Sequence, residues 1–87
     1  MYIEFSNKVT TDYDTMHLVF NANHKGNNIK CMISQECLQF NFNANAIGEK
    51  EAFISNQSMI FSKAEEIIEM KRFEKDGSIF IRISDFN

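Results

Sequence analysis

The chain has 87 residues, a formal net charge of -3 and a pI of about 5.3, which caps it at one domain, residues 1–87. Phosphate contacts draw on a basic excess, so the acidic balance argues against a nucleic-acid partner; the stretch from Lys63 to Lys75 stops being basic once Glu65, Glu66, Glu69 and Glu74 are counted in it. No stretch approaches the roughly 18 apolar residues of a membrane span, so no membrane partner is expected either.

Tyr2 to Phe5 alternates apolar and polar residues and reads as a short strand. Asn7 to Thr15 is polar, contains Asp12-Tyr13-Asp14, and reads as a loop. Thr15 to Asn23 alternates cleanly, with Met16, Leu18, Phe20 and Ala22 on one face and His17, Val19 and Asn21 on the other. His24 to Asn28 holds a glycine among polar residues and predicts a hairpin loop. Ile29, Cys31 and Ile33 then give the inward face of the next strand, with Lys30 and Met32 opposite. These segments predict an antiparallel meander with one face covered.

At Ser34 the period changes. Its hydroxyl suits an N-cap, Glu36 adds negative charge in the first turn of a helix, and Cys37, Leu38, Phe40 and Phe42 supply apolar side chains. Asn43 suits the left-handed residue that ends a helix. From Glu49 to about Phe73, Phe53, Ile60, Ala64, Ile67 and Ile68 keep to one helical stripe, which Ile54 and Phe61 widen. Asn56, Gln57 and Ser58 predict a bend or interruption in its middle. Asp76-Gly77 stops it near Lys75, and Ser78 to Ser84 reads as a last strand with Ile79, Ile81 and Ile83 on one face. The order β-β-β-α-α-β predicts a small two-layer α+β domain, an antiparallel sheet with helices packed on one face.

The residues Tyr13-Asp14, Val19-Phe20 through Ala22, Gly26, Cys31-Met32-Ile33-Ser34, Glu36, Leu38, Phe42, Ala44, Phe53, Asn56, Ile60, Ala64 and Asp76-Gly77-Ser78 through Asp85 run in order along nearly the whole chain. In them the sequence resembles an uncharacterised bacterial family, the domain of unknown function 1488 (DUF1488). The segments Cys31 to Leu38 and Asp76 to Asp85 carry most of the resemblance. The resemblance implies the same order of elements and no particular activity. Where the family usually has arginine this chain has His17 and Gln57, which removes positive charge, and where it usually has glycine this chain has Asn43, which tolerates the same backbone region.

The chemistry-bearing residues are few. His17, His24, Cys31 and Cys37 lack close ligand pairs, since five residues separate the cysteines, so no metal and no cofactor are expected. Cys31 alternates with core isoleucines and reads as a small apolar residue. Cys37, near a helix N-terminus, is a candidate reactive thiol in company with His17, or else a buried neighbour of Leu38. Asp12, Tyr13 and Asp14 form a small acidic cluster, with Asp76 and Asp85 as candidates to join it as an acid–base pair; the plainer reading is turn chemistry. Met1 to Phe5 carries a charge and no apolar run, so a cytoplasmic location is expected.

With no catalytic set legible, the expected function is a non-enzymatic interaction or regulatory module, engaging a protein partner or associating with itself. Met32, Phe61, Met70 and Phe80 are the candidates for an exposed apolar patch. The alternative is a small-molecule or anion-binding domain with Tyr13, Asp14, His17 and Arg82 around a shared pocket at the sheet edge.

Overall fold

The structure is a computed structural model that describes residues 3–86; Met1 and the expected strand start at Tyr2 lie outside them. Period-two alternation builds a five-stranded sheet from β1 (Glu4–Phe5), β2 (Thr10–Asp12), β3 (His17–His24), β4 (Asn27–Ile33) and β5 (Ile79–Ile81). Its order is β1-β3-β4-β5, with β2 also on β3. β1 and β2 occupy the same edge of β3 at its two ends, with Phe5 opposite Ala22 and Thr10 opposite Val19.

Several local expectations change. The polar segment Asn7 to Thr15 contains β2, where the β-branched pair Thr10-Thr11 suits a pleated backbone. Met16 sits in the β2–β3 turn with φ 64°, so it leaves the inward face on which alternation put it. The hairpin loop contracts to Lys25-Gly26, both at positive φ (54° and 82°), as a tight two-residue hairpin turn requires.

Helix α1 (Gln35–Phe42) begins as expected, with the Cys37 N–H donating to Ser34 Oγ at 3.0 Å, and ends at Asn43 with φ 61°. A short α2 (Ala44–Ile47) follows. The long apolar stripe is interrupted into α3 (Glu49–Ser55) and α4 (Gln57–Glu69). Asn56 marks the break, and its Nδ2 donates to the Ala52 carbonyl at 2.9 Å. α4 stops at Glu69, short of the expected Lys75, because Lys71 turns left-handed (φ 56°) and lets the N–H groups of Lys71 and Arg72 return to the carbonyls of Ile68 and Ile67.

The α+β two-layer architecture stands, but the sheet is mixed: β5 pairs parallel with β4, from Cys31 opposite Ile79 to Ile33 opposite Ile81. Parallel neighbours require a crossover. The helices supply one, and α4, about 20 Å long at 1.5 Å per residue, spans enough of the sheet to return the chain to the end where β4 began. β5 is also shorter than expected. After Ile81 the chain coils into a 3-10 turn, Ile83–Phe86, held where the Arg82 N–H donates to Asp85 Oδ2 at 2.7 Å.

This topology decides which face is covered. β1 to β4 are joined within the sheet, and the crossover carries all four helices to one side. There Leu18, Phe20, Cys31, Ile33, Ile79 and Ile81 of the sheet and Leu38, Phe53, Ile60 and Ile67 of the helices are fully buried. Phe61, expected on an exposed patch, stacks instead on Phe5 with ring centroids 4.4 Å apart. Phe40, counted among the apolar side chains of α1, is 79% exposed, and Ile54, expected to widen the apolar stripe, is exposed too.

Candidate functional site

The site is built on the other face of the same strands. Register sets Thr10, Val19, Met32 and Phe80 side by side across β2, β3, β4 and β5. Val19, Met32 and Phe80 are half-buried by one another and their neighbours. The next row carries polar chemistry. Asp12 stands opposite His17, and Arg82, two residues past Phe80, projects to the same face. The His17 ring lies 4.8 Å from the Phe80 ring at 42°, and the Arg82 guanidinium sits 4.6 Å over it. On the other side of the apolar row come Asn21 and Lys30, which are also register partners.

Of the four residues singled out from the sequence, His17 and Arg82 therefore meet on one aromatic platform. Tyr13 and Asp14 remain on the turn after β2: Tyr13 is 81% exposed, and the Asp14 N–H donates to Asp12 Oδ1 at 3.0 Å. Beside Arg82 lies an open groove of about 370 Å³ lined by Ser34, Glu36, Phe80, Arg82, Ile83 and Ser84. The Nδ1 atom of His17 is buried without a hydrogen-bond partner. Sequence reasoning named Phe80 and Met32 as surface residues but missed Phe80 as the platform. The available signal was the alternation that puts Val19 and Met32 opposite the core-facing residues.

The platform is held from behind by a clasp that the sequence concealed. Arg72, just past α4, donates through Nη1 and Nη2 to Asp85 (2.6 and 2.9 Å), and through Nη2 to the Phe80 carbonyl at 3.0 Å. Asp85 is 10% exposed at its side chain. The Arg72 hydrogen bonds hold its carboxyl below the ordinary carboxylate range, and the same contact raises Arg72. The clasp gives the free edge of β5 a partner for the Phe80 carbonyl, and such capping hinders pairing with a foreign strand. Arg82 in turn reaches Glu74 at 3.5 Å, a long and exposed contact.

The remaining candidates are dispersed. Asp85 belongs to the clasp, and Asp76 accepts from the Ser78 N–H and Oγ (3.0 and 2.6 Å), which lowers its pKa. Neither is paired with Asp12 or Asp14 in the hydrogen bonds seen among the described residues. Cys31 and Cys37 are free and fully buried. Burial pushes the Cys31 thiol up to about 12 and raises Cys37, whose Sγ accepts from Asn41 Nδ2 at 3.5 Å. A thiolate is the reactive form, so both are poor nucleophiles in the folded protein. Among the described residues no group of three His, Cys, Asp or Glu is placed to hold a metal ion, and no helix is long and apolar enough to cross a membrane.

The profile of the family described as "Protein of unknown function (DUF1488)" matches residues 3–81. A crystal structure of a protein of unknown function from the DUF1488 family of Shewanella loihica PV-4 superposes with a TM-score of 0.77 at 27% sequence identity, covering 91% of this chain and 90% of that one. A search of curated proteins finds no match.

Proposed function

Because the chain belongs to the DUF1488 family, whose description leaves the function open, we propose from its surface that it is a non-enzymatic interaction module of the bacterial cytoplasm, binding a protein partner through the uncovered face of its sheet. The observation that carries this reading is the in-register row Val19, Met32 and Phe80, over which no layer packs among the described residues. An apolar row rimmed by polar residues on an open sheet is the usual form of an association surface. His17 and Arg82 act as its polar anchors, since an arginine stacked on an aromatic ring offers both a flat contact and donors. The buried, raised thiols support a non-catalytic role. Two free cysteines fit a reducing compartment, and the Shewanella relative supports a bacterial source.

A photoreactive side chain placed at Met32 tests the reading in living cells. A discrete protein adduct from position 32, with none from Glu51 on the helix layer, is the expected result. Equal or absent adducts at both positions would end it. A second reading, a small-molecule or anion site, draws on the groove beside Arg82. It requires saturable chemical-shift changes at His17 and Arg82 on titration with phosphate or acetate, and it keeps Tyr13 and Asp14 only if they shift as well.

A further inference from the structure

Resting on that reading, we infer that the partner covering the open sheet face is a second copy of the chain, related by a twofold axis that runs along the strands between β3 and β4. The inference comes from the register. Two sheets packed face to face by a twofold need its axis in the plane between them, and aligned packing leaves the strands near-parallel. An axis along the strands keeps each row opposite its own image while exchanging β3 with β4 and β2 with β5.

The pairs that result are complementary. In the polar row, Asp12 of each copy faces Arg82 of the other, so two opposite-charge pairs form. In the apolar row, Val19 faces Met32 and Thr10 faces Phe80. In the third row, Asn21 faces Lys30. The alternative axis, across the strands through the apolar row, inverts the rows and sets each strand against its own image, so Lys30 lies beside Arg82 and no Asp12–Arg82 pair forms. Charge complementarity thus selects one pairing of the two. Arg82 is suited to it because its ion pair to Glu74 is long and exposed.

β3 and β4 run eight and seven residues but β2 and β5 only three each, so at about 4.8 Å between strands and about 3.3 Å per residue the strand face is roughly 330 Å² per copy. Twice that is below the standard size of a specific interface, so pairing is weak and half-dimerisation is expected at roughly 100 µM–1 mM.

Sedimentation equilibrium across that range should show a monomer–dimer equilibrium. Asp12→Arg and Arg82→Asp should each weaken it by about tenfold or more through the like charges they bring together. The double swap, Asp12→Arg with Arg82→Asp, should restore it. Circular dichroism confirms folding of each variant, and Arg82→Lys, which keeps the charge, guards against a variant that fails to fold. A wild-type chain that stays monomeric throughout, or folded single variants without rescue by the double swap, overturns the pairing. The adduct at position 32 separates the two readings. A mass of two chains supports the second copy, whereas an adduct with a different protein removes self-pairing and leaves the interaction module standing.

Discussion

β3, β4 and β5 present two faces made from alternate residues of the same strands. On one, Leu18, Phe20, Cys31, Ile33, Ile79 and Ile81 are sealed under helices; on the other, His17, Val19, Met32 and Phe80 are half-open to water. The backbone that carries them is shared, so the contrast isolates what a covering layer does. Under the helices a side chain contributes through packing and its loss is felt throughout the fold. On the bare face a side chain of similar apolar character contributes little to folding and remains free to bind.

The sharpest test of that contrast is chemical. Cys31 on the covered face should react with a thiol reagent only through global opening, whereas a Met32→Cys side chain one residue away should react close to the rate of a free thiol. With a stability of even about 5 kcal/mol the two rates should differ by roughly 10³ or more. Mass spectrometry of briefly alkylated Met32→Cys protein reads both, and comparable labelling of the two positions would erase the distinction between the faces.

Truncation gives the next largest effect. Phe20 touches the rings of Phe5, Phe53 and Phe61 with centroids 6.3, 5.1 and 5.6 Å away. Phe20→Ala should cost about 3–5 kcal/mol, while Met32→Ser on the other face should stay within about 1 kcal/mol. Urea denaturation measures both, and similar costs would mean that the second face is packed after all.

The clasp at the edge between the two faces should respond to acid. Asp85 is depressed by Arg72, so its contribution is complete above the unfolded carboxylate value of about 3.9 and is lost as pH falls through the lower folded value. Asp85→Asn should cost about 2 kcal/mol at neutral pH, from hydrogen bonds to a charged group, and should flatten the acid limb of the stability profile. An unchanged acid limb would show that the ion pair contributes nothing. The smallest effect is at Lys71, where a left-handed lysine strains the end of α4. Lys71→Gly should raise the unfolding free energy by about 0.5 kcal/mol, relief of strain less the entropy of glycine; a loss of stability would mean that the lysine side chain packs against Phe73 and Ile68 in their shared groove.

The parts of the fold legible beforehand are those written in local pattern. The alternation from Leu18 to Ala22 and from Ile29 to Ile33, the Ser34 cap and the Asn43 terminator each depend on residues within a few positions of one another. The early end of α4 was hidden because lysine rarely takes the left-handed conformation, and β2 because three residues are too few for a period to show. In the site, His17 and Arg82 were noticeable as isolated polar residues. Their meeting on Phe80 was not, since 62 residues separate Phe80 from His17 along the chain.

Sequence alone determined which side chains face inward along β3 and β4, where α1 begins and ends, and that a sheet and a helical layer would share one apolar core, because periodicity and capping are short-range. Tertiary structure decided that β5 lies parallel beside β4, that Arg72 closes on Asp85, and that Thr10, Val19, Met32 and Phe80 form a single row. Strand order and register arise from contacts between distant segments, and the crossover that leaves one face of the sheet bare is a property of the whole path of the chain.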